Sequence, residues 1–362
     1  MSDKFLRGLL KKCLREVASN SIYEVHDFLT VLLEAALTCD FMEGTCRRVS
    51  GACDAETLFN RLEGVDYSLL LGLFRQDVLQ NVTALRTLSR NRRQLLIADI
   101  TPEPYYGSHP NMWVHKQVFH DGASGSYQTM VLSVLVRGQR EIVGVLPLRC
   151  GDDKNQLLLQ LLDGLKHHLR VDCLLLDRGF DSGWLISEFK RRRLRFLMLW
   201  RISEYLRDEF KKMGKSKWKR MRHSLAVEGV EVSFTLVLVK GVKLEGDEKT
   251  YRWVFATNMR ENQPIKYILQ YRKRWGIETI FRVLDGLQIK TKSANITKRL
   301  FLLLFTVYMY NQWKQLLPEI GFHISFNEYA THTQEILEEL HPNKPPTERQ
   351  QQVREAIKTT LA

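Results

Sequence analysis

Two short apolar runs, LLIAD at residues 95–99 and CLLLD at residues 173–177, decide how this chain folds. Each is too short for a self-sufficient helix and reads as a buried strand that closes on an aspartate. Between them, YQTMVLSVLVRG (127–138) and EIVGVLPL (141–148) are β-rich and separated by a turn, so the first three strands form an antiparallel meander. DKNQLLLQLLDGLKHHL (153–169) then returns its leucines at helical spacing. A strand, helix, strand order after a meander adds the last strand parallel beside the first and gives a mixed sheet. That topology brings Asp99 and Asp177 side by side although they are far apart in sequence. TPEPYYG (101–107), with its prolines and glycine, reads as a turn that ends the first strand at Asp99.

A carboxylate at the end of a buried strand is costly unless it is paired or binds a cation. A third carboxylate comes from residues 262–290, NQPIKYILQYRKRWGIETIFRVLDGLQIK. Leu269, Ile277, Ile280, Phe281 and Leu284 recur at helical spacing, and Asn262 with Pro264 is a helix start, so the stretch predicts one long amphipathic helix. Tyr271, Arg274, Glu278, Arg282 and Asp285 form a polar stripe along its apolar face. The stripe has two readings. It is a solvated face whose Glu278 pairs with Arg274 or Arg282 four residues away, or it carries Glu278 across the sheet edge to the aspartates. Each aspartate alone also reads as a strand-end or turn former. Together, Asp99, Asp177 and Glu278 make a hard, all-oxygen site suited to Mg²⁺ or Mn²⁺.

At this point the residues resemble a family. Tyr271-x2-Arg274-x3-Glu278 within YRKRWGIETIF is similar to the YREK signature of DDE transposases of the insertion sequence four group. LLIADITPEPYYG and LLLDRGF resemble the two aspartate motifs of that family, and the likeness spans roughly residues 90–315. One position departs: where the signature has lysine this chain has Asp285, and Arg282, Lys290 or Lys292 is left to make its phosphate contact. The resemblance implies an RNase H-like α/β fold: a mixed sheet with flanking helices, a β-rich insertion and an N-terminal helical domain. It further implies two Mg²⁺ ions on Asp99, Asp177 and Glu278, with Tyr271, Arg274 and Arg282 near the DNA phosphate. The implied reaction is excision and strand transfer of a mobile element, through transposon-end and target DNA held by a homodimer in a prokaryotic cytoplasm. A nuclease of the same fold that cuts without joining shares all three carboxylates. A DNA-binding relic of a decayed enzyme is the other alternative.

Charge points the same way. With Lys and Arg numbering 54 against 41 Asp and Glu, the formal charge is +13, which favours a polyanionic partner over a small-molecule substrate. The longest apolar run, LFLLLFTVYMY (300–310), is shorter than the ~20 residues that span a bilayer and reads as a core helix. MSDKFLRGLLKKCLREV (1–17) has charges throughout its apolar positions and does not read as a signal peptide. Six cysteines without a Cys-x2-Cys pair read as reduced thiols, and no histidine stands near Cys39, Cys46 and Cys53 to complete a zinc site.

Residues 1–92 read as helical throughout and, by the resemblance, as a DNA-end recognition domain; a structural cap or dimer surface is the alternative. The catalytic core occupies 93–201 and 251–318, interrupted by an insertion at 202–250. Within that insertion KKMGKSKWKRMRH (211–223) is strongly basic around an aromatic, which suits Lys217, Trp218, Lys219 and Arg220 to DNA-backbone contact, and the resemblance implies that Trp218 stacks on a base near the cleaved end; a solvated lysine loop is the plain alternative. Trp253 is the lesser stacking candidate, since its neighbours Tyr251 and Phe255 place it towards the core. Residues 319–362 read as a polar tail broken at Pro345 and Pro346, its last segment a short amphipathic helix or a loose tail.

Overall fold

The first strand of the sheet, β1 (Gln94–Tyr105), runs well past Asp99 instead of ending there. In this computed structural model, which describes residues 23–340 apart from 64, 89–92, 117–121, 137 and 243–249, the TPEPY segment is strand and not turn. The reason lies in the pairing. β1 is antiparallel to β3 (Gly125–Val136) along its whole length, but parallel to β5 (Val171–Leu176) only from Gln94 to Ile97. Beyond Ile97 one edge of β1 is unpaired, and a strand with an open edge tolerates Pro102 and Pro104, which lack an N–H to donate.

β2 (Val114–His115) pairs with β3, and β4 (Gln139–Leu148) completes the meander on the other edge of β3. α5 (Lys154–Leu165), capped by Asp153, leads into β5. β6 (Phe196–Leu199) follows α6 (Gly183–Arg191) and lies parallel to β5. Leu96, Ile97, Leu174, Leu175 and Leu176 are fully buried, as expected for central parallel strands covered on both faces.

The insertion does not form a separate layer. After α7 (Glu204–Lys212), β7 (Trp218–Val227) and β8 (Val230–Val242) form a hairpin that joins the same sheet through β9 (Tyr251–Thr257). β9 closes onto β6, giving the order β2-β3-β1-β5-β6-β9-β8-β7, with β4 on β3.

One buried charge in this region sets a pH dependence. Glu209 of α7, its side chain 7% exposed, accepts hydrogen bonds from Lys212 Nζ (2.8 Å) and Lys219 Nζ (2.6 Å). These ammonium groups, Lys212 first, hold its carboxyl below the usual glutamate range. A depressed carboxyl pKa stabilises the fold above the unfolded value of about 4.3, and that stability is lost as pH falls through the folded value. Glu209→Gln therefore melts below wild type at pH 7, and the gap closes when both are melted at successively lower pH below about 4.

The chain divides into two compact units, one of residues 79–280 and the other joining the segments up to Val78 and from Phe281. The first holds the sheet. The second contains α1 (Val25–Leu37), α2 (Met42–Arg48), α3 (Ala55–Asn60) and most of α4 (Tyr67–Leu88). Its centre is α10 (Ile296–Ile320), on which Phe301, Phe305 and Tyr310 are buried. Within the C-terminal segment the chain forms α11 (Phe326–Leu340); Phe326 stacks on Trp313, and Gln334 donates to Glu34 of α1. No helix among the described residues is long and apolar enough to cross a membrane. The apolar stripe at residues 5–17 and the Pro345-Pro346 break lie outside the described residues.

Candidate active site

The parallel ladder of β1 and β5 ends at Ile97 opposite Leu175, two residues short of both aspartates, and Asp177 lies near enough for its charge to act on the Asp99 carboxyl. Asp99 is on the extended part of β1, while Asp177 is the first residue past β5 and caps a short 3-10 turn, Arg178–Phe180. Each carboxylate is oriented by a backbone amide: Asp99 Oδ1 accepts from Ile100 N at 2.9 Å and Asp177 Oδ1 from Gly179 N at 2.9 Å. Burial pushes the Asp99 carboxyl up, the Arg274 guanidinium opposes this, and the nearby Asp177 charge adds to it.

The predicted single helix at 262–290 is two helices, α8 (Pro264–Arg272) and α9 (Trp275–Asp285). Between them the backbone tightens: Arg274 N bonds Tyr271 O at 2.8 Å and Ile277 N bonds Arg274 O at 2.9 Å, a three-residue spacing. The break shifts the helical phase. Leu269, assigned to the apolar face on the single-helix reading, is 51% exposed, and Tyr267, Ile268 and Tyr271 are buried in its place. At the start of α9 the Arg140 side chain passes over Gly276, so a Cβ there would require that guanidinium to shift.

Arg274 sits in the break and bridges two of the predicted carboxylates. Its Nη1 lies 2.7 Å from Asp99 Oδ2 and its Nη2 2.7 Å from Glu278 Oε1. The ion pair with Glu278 was legible from the spacing of four; the one with Asp99 was not. Tyr271, a predicted phosphate contact, is instead a core residue, 2% exposed and packed on Phe255 (5.3 Å) and Trp253 (5.8 Å). Burial pushes its hydroxyl up to about 12. Trp253 also meets Trp275 at 6.3 Å, and Arg272 covers Trp275 at 5.3 Å. Arg282 is exposed on α9, four residues beyond Glu278, and Asp285 is exposed at the end of that helix.

Trp218, Lys217, Lys219 and Arg220 stand apart from these groups. β7 is the outermost strand on its side and five strands from β1, about 24 Å at ~4.8 Å per strand. Lys219 is engaged by Glu209, and Arg220 donates to the Tyr267 hydroxyl at 3.1 Å and to the Glu261 carbonyl while lying over the Trp218 ring at 5.7 Å. Lys217 is exposed. Trp218, Val239 and Trp253 form one cross-strand row, so Trp218 is on the sheet face that carries α8 and α9. Asp181, which the sequence reading passed over, closes the turn after Asp177 and pairs with Arg201 at 3.3 Å; the DRGFD run was its only signal.

Among the described residues no three ligating side chains already stand in a metal-binding group. The donors nevertheless fit a hard divalent cation. They are acceptor-only oxygens, two of them at or just past the C-terminal ends of the paired stretches of adjacent strands, and the cluster already holds a cation, the Arg274 guanidinium.

Comparison with known proteins is consistent with this geometry. Residues 90–310 match the family model described as Transposase DDE domain, a span containing all three carboxylates. A search of curated proteins gives no match. Among solved structures, the fold is similar to that of the piggyBac transposase synaptic complex with hairpin DNA, at 12% identity and a TM-score of 0.55 over 98% of this chain and 80% of that one. The mixed sheet with flanking helices is thus the RNase H-like fold that the resemblance implied. With more than half of its length matched by the family model, the chain belongs to the DDE-domain transposases.

Proposed function

We propose that this chain cuts DNA at the ends of an insertion sequence and joins those ends to a target by cut-and-paste transposition. The observation that carries the reading is the Arg274 bridge from Asp99 to Glu278, with Asp177 close enough for its charge to act on Asp99. Asp99, Asp177 and Glu278 would hold Mg²⁺ or Mn²⁺, which when bound supplies Lewis-acid polarisation of the phosphate and of the leaving oxygen. The chain does the rest. Ile100 and Gly179 amides fix the two aspartates, and Arg274 offers a planar two-pronged donor for the phosphate beside the scissile bond. A hydroxyl of water or of a DNA 3′ end attacks in line, with no covalent enzyme intermediate.

A charge of +13 supports DNA as the partner. The solved structure of similar fold is a synaptic complex with hairpin DNA, and by that analogy two copies of this chain hold two ends. The Tyr271-x2-Arg274-x3-Glu278 spacing supports the finer assignment to the YREK-signature group, acting in the cytoplasm on the host nucleoid. Lys217, just before β7, and Trp218 and Arg220 on it, about 24 Å from β1, would grip duplex roughly seven base pairs from the cleaved phosphate.

The test is a labelled duplex carrying the ends that flank the gene, incubated with protein and Mg²⁺ or Mn²⁺. Wild type nicks at the end and joins it to target DNA. Cutting without joining makes the protein a nuclease of the same fold. Binding without cutting in either metal makes it a relic, the reading favoured by Asp285, and Asp285→Lys is then the variant to make.

A further inference from the structure

The guanidinium of Arg274 is held between two carboxylates that the proposed reaction needs for another purpose. Its side chain is 11% exposed, Asp99 is 18% exposed, and both contacts are 2.7 Å. Its Nε is buried and has no hydrogen-bond partner among the described residues, while the guanidinium carbon lies 5.8 Å from the centre of the Tyr271 ring. It also sits in the tightened turn between α8 and α9. A guanidinium in this position does for Asp99 and Glu278 what a divalent ion would do: it neutralises them and fixes the space between them. Both cannot fill that space together.

We infer that Arg274 is a positioning residue that acts as an internal counter-cation. In the DNA-free protein it holds Asp99 and Glu278 in the place of a divalent ion, and it gives up at least one of them when a DNA phosphate draws it away. This rests on the reading of Asp99, Asp177 and Glu278 as ion ligands. Its consequence is thermodynamic. A residue that competes with the ion and is removed by DNA couples the two binding events, so that each tightens the other by the same factor, typically about 5–150-fold. The device would keep the cleavage centre from loading with metal until DNA is in place.

The experiment is a Mn²⁺ titration of the full chain without DNA, followed by the electron paramagnetic resonance of free Mn²⁺. Arg274→Gln, which keeps a polar side chain without the charge, binds Mn²⁺ at least about fivefold more tightly than wild type, the lower end of that coupling range. Arg274→Lys keeps one charge but cannot span two carboxylates; it tightens to a smaller degree and keeps the comparison available if the glutamine variant does not fold. Asp99→Asn lowers Mn²⁺ binding in every background. Equal or weaker binding by both Arg274 variants, with Asp99→Asn still lowering it, overturns the counter-cation role and leaves the ion-ligand reading intact. No Mn²⁺ binding by any of the proteins removes the ligand reading and the inference with it.

Discussion

Asp99→Asn lowers DNA cleavage by on the order of 10³-fold or more, while binding to the same duplex stays within a fewfold of wild type. The substitution keeps shape and the Ile100 amide contact but removes the charge that balances Arg274 and, in the proposed mechanism, a divalent ion. Loss of several kcal/mol of transition-state charge stabilisation corresponds to that factor, since ~1.4 kcal/mol is tenfold in rate. Binding is spared because most DNA affinity comes from basic side chains spread over the surface, and this chain carries 54 Lys and Arg. Single-turnover cleavage with a gel-shift control measures both. A tenfold loss or less makes Asp99 a structural partner of Arg274 and moves the chemistry elsewhere. Asp177→Asn should behave in the same way, because Asp177 has no ion-pair partner among the described residues and so no structural duty to lose beyond its bond from the Gly179 amide.

Tyr271→Ala unfolds the protein at a markedly lower temperature, by about 3–5 kcal/mol of stability, whereas Tyr271→Phe costs under ~1.5 kcal/mol and keeps cleavage. The ring fills a cluster with Phe255 and Trp253, and its hydroxyl is buried too deeply to reach a phosphate without moving α8. Thermal melts separate the two variants, and cleavage by Tyr271→Phe decides between packing and contact. A Tyr271→Phe protein that melts like wild type yet fails to cut would restore the phosphate role that its place in the signature implies.

The helix break explains why Tyr271, placed in the polar stripe by its spacing, is buried. A single helix from 262 to 290 puts Tyr271, Arg274 and Glu278 on one polar edge, because hydrophobic periodicity assumes an unbroken advance per residue. The tightened turn at Arg274 changes the phase, so Tyr271 turns inward and Leu269 outward. Local signals for the break were slight: Lys273 and Arg274 are good helix formers, and Gly276 marks it only because Arg140 of β4 passes there. The prolines after Asp99 were a similar case. Their turn chemistry was read correctly as a local preference, but an unpaired strand edge accommodates proline, and edges exist only once a sheet is assembled.

The sequence by itself determined the meander, the parallel return of CLLLD beside LLIAD, and hence the meeting of Asp99 and Asp177, because continuous apolar runs and chain-order handedness leave few ways to build a sheet. It also determined the spacing that pairs Arg274 with Glu278. Tertiary structure alone decided that Arg274 reaches Asp99, that Lys219 is taken by Glu209, and that β7 lies five strands from the carboxylates. Those outcomes depend on which side chains face one another across separate elements, and that is set by strand order and helix phase, quantities that local periodicity does not carry.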